Sequence, residues 1–430
     1  LTITPATLSI TGTKTYDGNT NFASNTLAVA GAVNGETIAL TTGSGTSASA
    51  NAATYAGSTL TGLAISVTGG NALASNYALP STGDLTITPA TLSITGTKTY
   101  DGTAVFNAGA LSVTGLVASD AIDTATAVSQ NVASNGSNYF TTFTLSTGSA
   151  ANYQLASAGV NNSAQITPAT LSITGTKTYD GNTNFVSNTL AVAGAVNGET
   201  ITLTTGNGTS ASANAGTYAG STLTGLAISV TGGNALASNY ALPSTGDLTI
   251  TPATLSITGT KTYDGNTNFV SNTLAVAGAV NGETITLTTG NGTSASANAG
   301  TYAGSTLTGL AISVTGGNAL ASNYALPSTG DLTITPATLS ITGTKTYDGT
   351  AVFNAGALSV TGLVASDAID TATAVSQNVA SNGSNYFTTF TLSTGSAANY
   401  QLASAGVNNS AQITPATLSI TGTKTYDGNT

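Results

Sequence analysis

The string ITPATLSITGTKTYDG returns along the chain with its proline at Pro5, Pro89, Pro168, Pro252, Pro336 and Pro415. The intervals are 84, 79, 84, 84 and 79 residues, which defines five units of two types in the order A, B, A, A, B. A fixed period of this length points to a series of similar modules, each long enough to bury a small core. The expected organisation is the end of a preceding repeat at 1–5, then type A at 6–89, type B at 90–168, type A at 169–252 and 253–336, and type B at 337–415; the start of another repeat follows at 416–430. The chain opens inside one repeat and closes inside another, so it reads as a window on a longer array whose export signals and anchors lie elsewhere. Units 169–252 and 253–336 are identical, as are the two B units, so identity between them says little about which residues matter. What A and B share despite differing elsewhere is more telling. Both keep the Lys-x-Tyr-Asp-Gly strand, an L-x-V-x-G strand, an Asn-Tyr-x-Leu segment and the closing Ile-Thr-Pro.

Within a unit the apolar residues alternate with small polar ones at period two, the signature of half-buried strands. Leu8 and Ile10 share one face of the first strand; Leu63, Ile65 and Val67 share a face of a later one, and Leu85 and Ile87 line the last. No long segment keeps a helical period, and Thr, Val, Ile, Tyr and Gly favour strands. Asn34-Gly35 predicts a two-residue type I′ hairpin, because that turn needs positive φ at both central residues. It would pair Val33 with Glu36, Gly31 with Ile38, Val29 with Leu40 and Leu27 with Thr42, placing Leu27, Val29, Val33, Ile38 and Leu40 on one face. About seven or eight short strands in roughly 80 residues suggest an all-β array of Ig-like β-sandwiches. The alternative is a β-solenoid, which needs a sub-period of about 20–30 residues that the unit lacks. At the junction, Leu85 and Ile87 are odd-numbered and Leu92 and Ile94 even, so the buried face switches across Pro89, which cannot donate to a ladder. One module should therefore run into the next almost without a linker, giving a stiff array.

Composition narrows the function. Charged residues make up 5% of the chain, against roughly 25% in ordinary soluble proteins, and the net charge of −10 arises from 6 basic and 16 acidic residues. With no basic patch, binding nucleic acid through phosphate neutralisation has no support. No apolar run approaches the length of a membrane span. His and Cys are absent, which removes triads, thiol nucleophiles and the usual zinc ligands. The sparse acids form no evident glycosidase pair, and Gly43-Ser44-Gly45-Thr46 has no phosphate-loop spacing. The expectation is a protein that is not an enzyme and uses no cofactor or metal. The absence of Cys and Met fits an oxidising exterior.

Lys14-Thr15-Tyr16-Asp17-Gly18, Asn76-Tyr77-Ala78-Leu79 and Ile87-Thr88-Pro89-Ala90-Thr91-Leu92, recurring in every unit, resemble the YDG-type repeats of large bacterial surface adhesins of the filamentous-haemagglutinin kind. The resemblance implies a secreted or surface-attached protein, tandem Ig-like domains, and a part in adhesion, aggregation or biofilm matrix. The scarcity of charge in this chain is not a feature carried over from that family.

The candidate site residues are those of the repeat motif: Lys14, Tyr16, Asp17, Gly18, Asn76, Tyr77 and Pro89. Their structural reading is a turn, with Gly18 at positive φ, Asp17 bonded to nearby backbone and the Tyr16 ring on the core. A functional reading is an isopeptide crosslink from Lys14, or Lys98 in the B unit, each the only side-chain amine of its unit; Glu36 could serve as the acid in A units. Asp120 and Asp123 read as a solvated hairpin tip rather than a calcium site, and Asp84 as a turn residue. The sequons at Asn135, Asn161 and Asn207 read as chance. The function expected is a self-associating extracellular stalk or filament. The rival is an adhesive module binding surface glycans or matrix, with Tyr77 and Tyr153 stacking on sugars if exposed.

Overall fold

The structure, a computed structural model, describes every residue except 70–72, 134–136, 234–235, 318–319, 380–383, 428 and 430. It is all-β, built of curled half-barrel sheets in repeated units, with single 3-10 turns and no α-helix among the described residues. Among the described residues no helix is long and apolar enough to cross a membrane. The chain groups into two units, one of 1–174, 186–208 and 222–246, the other of 175–185, 209–221 and 247–430. Each contains one whole A repeat, one whole B repeat and segments of the repeat at 169–252.

In the first unit the A repeat runs β1 (Ala6–Thr7), β2 (Ser9–Thr15), β3 (Asn21–Ala23), β4 (Leu27–Ala30), β5 (Thr37–Thr46), β6 (Ala53–Thr68), β7 (Tyr77–Ala78) and β8 (Thr82–Thr88). Six of these form one sheet in the order β3-β5-β6-β8-β2-β4, and β1 pairs separately with β7. The curl of that sheet follows from its connectivity. Its two edge strands, β3 and β4, would stand about 24 Å apart in a flat sheet at the usual interstrand spacing. Only the 3-10 turn Ser24–Thr26 joins them, advancing about 2 Å per residue. The sheet must roll until its edges meet. Ile10, Phe22, Leu27, Leu60, Leu85 and Ile87 fill the inside. The first and last strands are parallel neighbours, with Gly12 beside Leu85 and Lys14 beside Ile87.

The B repeat runs β9 (Ala90–Thr99), β10 (Val105–Asn107), β11 (Leu111–Thr114), β12 (Ala121–Ala127), β13 (Phe140–Thr147), β14 (Tyr153–Leu155) and β15 (Asn162–Thr167). Here the first strand is continuous and serves two partners in succession. Its start pairs with β14 and its later residues with β11 and β15. The other strands form a three-stranded sheet, β10-β12-β13, in which the Phe106 and Phe140 rings meet edge-on at 5.1 Å. In the second unit the A repeat at 253–336 and the B repeat at 337–415 pair their strands in the same registers.

The alternating faces lie where the sequence puts them. Leu8, Ile10, Leu85 and Ile87 are buried, as are Leu92 and Ile94 across the switch. Between β8 and β9 stands Pro89 alone. The Asn34-Gly35 turn also forms, with φ of 52° and 73° and the Glu36 N–H donating to the Val33 carbonyl at 3.1 Å. The hairpin beyond it does not. β4 pairs with β2, Ile10 opposite Val29, while β5 pairs with β6 and β3. Of the predicted face, Val33 is exposed and the others are at least half-buried. A continuous coil is excluded by the same pairings: among the described residues every strand pair joins two strands of one repeat.

Candidate functional site: the corner between repeats

The motif strand carries, one residue before its end, a lysine whose side chain is almost wholly buried. Only 7% of the Lys14 side chain is exposed, and Nζ lies 5.1 Å from the centre of the Phe22 ring. It donates to Asp17 Oδ1 at 2.7 Å, the Asn19 carbonyl at 2.7 Å, Asn19 Oδ1 at 2.9 Å and the Asn21 carbonyl at 2.9 Å. A buried ammonium is tolerable only with such a set of acceptors. In the B repeat, Lys98 keeps Asp101 and two carbonyls but takes Thr103 Oγ1 at 2.9 Å where Asn19 stood. The position therefore calls for an oxygen acceptor, whether amide or hydroxyl, and an amide-forming crosslink at this place has its asparagine in A repeats only. Burial alone would raise the Asp17 carboxyl, but the Lys14 and Asn19 hydrogen bonds outweigh it and hold it below the usual range. The Lys345 and Thr350 bonds hold Asp348 at about 2. Lys14→Met, which keeps the apolar stem and deletes the charged bonds, is expected to cost about 2–3 kcal/mol. Calorimetry of the full chain would read it as earlier melting of one repeat.

With its lysine fixed, the Tyr-Asp-Gly corner projects the tyrosine out of its own repeat and into the next. Tyr100 donates to Glu199 Oε1 at 2.5 Å, and Tyr240, of the same repeat as Glu199, donates to Oε2 at 2.5 Å. The two rings meet edge-on at 5.5 Å. Tyr179, Glu283 and Tyr324 repeat the arrangement in the second unit. Where the following repeat is type B, the acid is an aspartate: Tyr16 and Tyr153 meet at Asp120, Tyr263 and Tyr400 at Asp367. The second tyrosine is itself held, because its hydroxyl accepts a backbone N–H, as Tyr240 does from Val196 at 3.1 Å.

The asparagine before that second tyrosine reaches back. Asn152 Oδ1 accepts the Ala52 N–H at 2.8 Å, and its Nδ2 donates to Asn51 Oδ1 at 3.0 Å. Asn239, Asn323 and Asn399 do the same to the repeats before them. The glycine of the motif completes the fit. Gly102 has φ +79°, and a Cβ there would lie 2.5 Å from Asn197 Cβ in the Asn-Gly turn of the next repeat. Gly181 stands equally close to Asn281.

Two positions without a neighbouring repeat act as controls. Asn76 is exposed, whereas Asn239 and Asn323 are fully buried. Tyr347 is 41% exposed, whereas Tyr100 is 2% exposed. The same residue types are buried only where another repeat stands against them.

Lys14, Tyr16, Asp17 and Gly18 thus lie at a corner with the following repeat, Tyr77 bonds Glu36 of its own repeat, Asn76 is exposed and Pro89 is the link between β8 and β9; the turn accounts for only part of the motif's role. Asp120 is not a solvated tip; it receives two tyrosine hydroxyls. Asp123 accepts from Thr144 at 3.3 Å, and Asp84 accepts the Gly57 N–H at 3.1 Å. Tyr77 and Tyr153 are buried, so neither offers a face to a sugar. Asn135 lies outside the described residues. Sequence reasoning missed the acid as an acceptor, although both unit types place it twenty residues after the motif tyrosine, at Glu36 and Asp120.

A model of the YDG domain matches residues 1–85, 83–160, 162–247, 246–331 and 328–407. The chain belongs to the YDG-domain family. No curated protein matches it at a significant level. The residues that give the YDG domain its name have separate roles here. Tyrosine and glycine face the next repeat, and aspartate secures the lysine of its own.

Nine of the sixteen tyrosines in these YDG repeats have raised pKa values, eight of them at corners between repeats and the ninth, Tyr77, on Glu36 of its own repeat. Tyr100, Tyr153, Tyr179 and Tyr400 are pushed up to about 12, by burial first and then by the carboxylate beside each. A folded-state pKa above the unfolded value of about 10 favours the neutral phenol. Stability from the corners is therefore fully present below pH ~10 and is lost as pH rises towards about 12. Absorbance titration should show a late group of tyrosines, with loss of sheet circular dichroism in the same window. Titration of all tyrosines together near pH 10, with the sheets intact, would contradict these tyrosine–carboxylate bonds.

Proposed function

We propose that this chain is a structural segment of a large bacterial extracellular adhesin or matrix fibre: Ig-like, two-layer repeats joined into a stiff stalk that associates with copies of itself. The observation that carries the reading is the corner just described, formed at every contact between successive repeats. A one-residue link, two tyrosines on one acid and an asparagine reaching back give each joint several independent restraints, where a flexible linker would give none. The Ig-like arrangement is supported by the parallel pairing of first and last strands and by a first strand that serves two partners in turn. Self-association is supported by the near absence of charge, since exposed sheet edges are normally guarded by lysines, and here the lysines of the five whole repeats are caged. The reading assigns no catalysis, because the acids and lysines at the corners are engaged in structural bonds. Electron microscopy of the purified chain tests it. Straight particles whose length scales with repeat number, associating side by side or end to end, are expected. Freely bent chains would overturn the stalk, and dispersed particles at high concentration would overturn self-association.

A further inference from the structure

The repeats at 169–252 and 253–336 are identical in sequence, yet their motif tyrosines end in different surroundings. Tyr179, followed by an A repeat, is 3% exposed and donates to Glu283 at 2.5 Å. Tyr263, followed by a B repeat, is half-buried and donates to Asp367 at 3.1 Å. The same contrast separates Tyr100, which meets Glu199 at 2.5 Å, from Tyr16, which meets Asp120 at 3.3 Å. Since the donors at 179 and 263 are the same, the difference belongs to the acceptor.

Three features of the acceptor explain it. A glutamate gives each tyrosine its own oxygen: Tyr100 takes Oε1 of Glu199 and Tyr240 takes Oε2. The shorter aspartate receives both on Oδ2, and the incoming tyrosine has the longer bond, 3.3 Å against 2.6 Å. The turn before the acid also differs. In A repeats it is Asn-Gly, whose first residue at φ 52° is a type that tolerates the left-handed region. In B repeats Ala118 and Ala365 occupy that conformation at φ 53° and 54°, which disfavours a residue with a Cβ and no polar side chain. Finally, the Asn-Gly turn lies hard against the motif glycine, Asn197 on Gly102, while in the B repeat the nearest atom is Val117 Cγ1, 3.3 Å from a Cβ built on Gly18.

We propose that the turn and acid of each repeat, Val-Asn-Gly-Glu in type A and Val-Ala-Ser-Asp in type B, determine how tightly it grips the repeat before it, so that the order A, B, A, A, B writes firm and compliant joints into the array. Residues 118–120 and 197–199 are the specificity-determining positions of this inter-repeat surface, and the partner each fits is the Tyr-Asp-Gly corner of another repeat. The inference rests on the reading that the corners carry the stiffness of the array.

The chain has no cysteine, so pairs of spin labels can be introduced cleanly into the full-length protein. Asn25→Cys with Ser112→Cys spans the joint closed by Asp120, and Ser112→Cys with Asn188→Cys spans the joint closed by Glu199; all three positions are exposed. Electron–electron dipolar spectroscopy should give a broader distance distribution across the first joint than across the second. The triple substitution Ala118→Asn, Ser119→Gly, Asp120→Glu should narrow the first to match the second, and Asn197→Ala, Gly198→Ser, Glu199→Asp should broaden the second. Asp120→Glu alone, the mildest change, should narrow the first in part. If the triple variants fail to fold, the unmodified joints still decide. Equal, narrow distributions across both would overturn the two-joint inference and leave the stalk reading standing, whereas equal, broad ones would overturn both.

Discussion

Gly102→Ala is expected to destabilise the chain by about 2–4 kcal/mol, and Gly349→Ala by only about 1 kcal/mol, although the two glycines have the same place in identical repeats. Both sit at positive φ, +79° and +83°, so both substitutions carry the cost of a Cβ in the left-handed region, about 1–2 kcal/mol. Only Gly102 faces a neighbour. Its new methyl would lie 2.5 Å from Asn197 Cβ, whereas nothing lies within 4 Å of Gly349. The excess is an overpacking cost, about 1–3 kcal/mol where backbone or side chain must shift. Gly18→Ala should fall between them, because it meets the end of the Val117 side chain at 3.3 Å, and that side chain can yield. Calorimetry of the full chain compares the three. Equal losses at Gly102 and Gly349 would mean that the glycine serves its own turn only, and the corner would lose its most specific support.

How much of this was legible in the sequence depends on the distance over which each feature is decided. The faces of the strands were readable because burial follows a period of two. Leu85, Ile87, Leu92 and Ile94 are all buried, with the switch at Pro89. The Asn34-Gly35 turn was readable for the same reason: φ is a property of two adjacent residues. Its hairpin was not. Pairing is settled by the roll of the whole sheet, which brings β4 to β2 and leaves β5 to β6. The site was harder still. Lys14, Tyr16, Asp17 and Gly18 were found, but Tyr16 meets its acid 104 residues further along the chain. No local pattern encodes that distance, so a reading confined to one repeat could see only a turn. The constant offset between motif tyrosine and acid was the available trace of the contact. Asn76 gave no such trace, being a plain turn residue unless a preceding repeat is set beside it.

Glu199→Ala should be the most damaging single change at a corner, costing about 3–5 kcal/mol, while Glu36→Ala should cost about half as much. Glu199 is 8% exposed and receives the hydroxyls of Tyr100 and Tyr240. Removing it leaves two buried phenols short of an acceptor, at about 1–3 kcal/mol each, and adds a small cavity. Glu36 serves Tyr77 alone, so only one donor is stranded. Replacing the acid with the incoming tyrosine tests the cause: Glu199→Leu with Tyr100→Phe removes that donor together with its acceptor and should recover part of the loss, while Tyr240 is kept because its hydroxyl accepts the Val196 N–H. Glu199→Gln keeps one carbonyl acceptor and should sit between. The titration of Tyr100 gives an independent check, since Glu199 is one of the two main causes that hold it at about 12; in Glu199→Gln it should ionise earlier. If Glu199→Ala proved no costlier than Glu36→Ala, the hydroxyl that crosses from the preceding repeat would contribute nothing, and the contact between those repeats would rest on the single-residue link and the reaching asparagines alone.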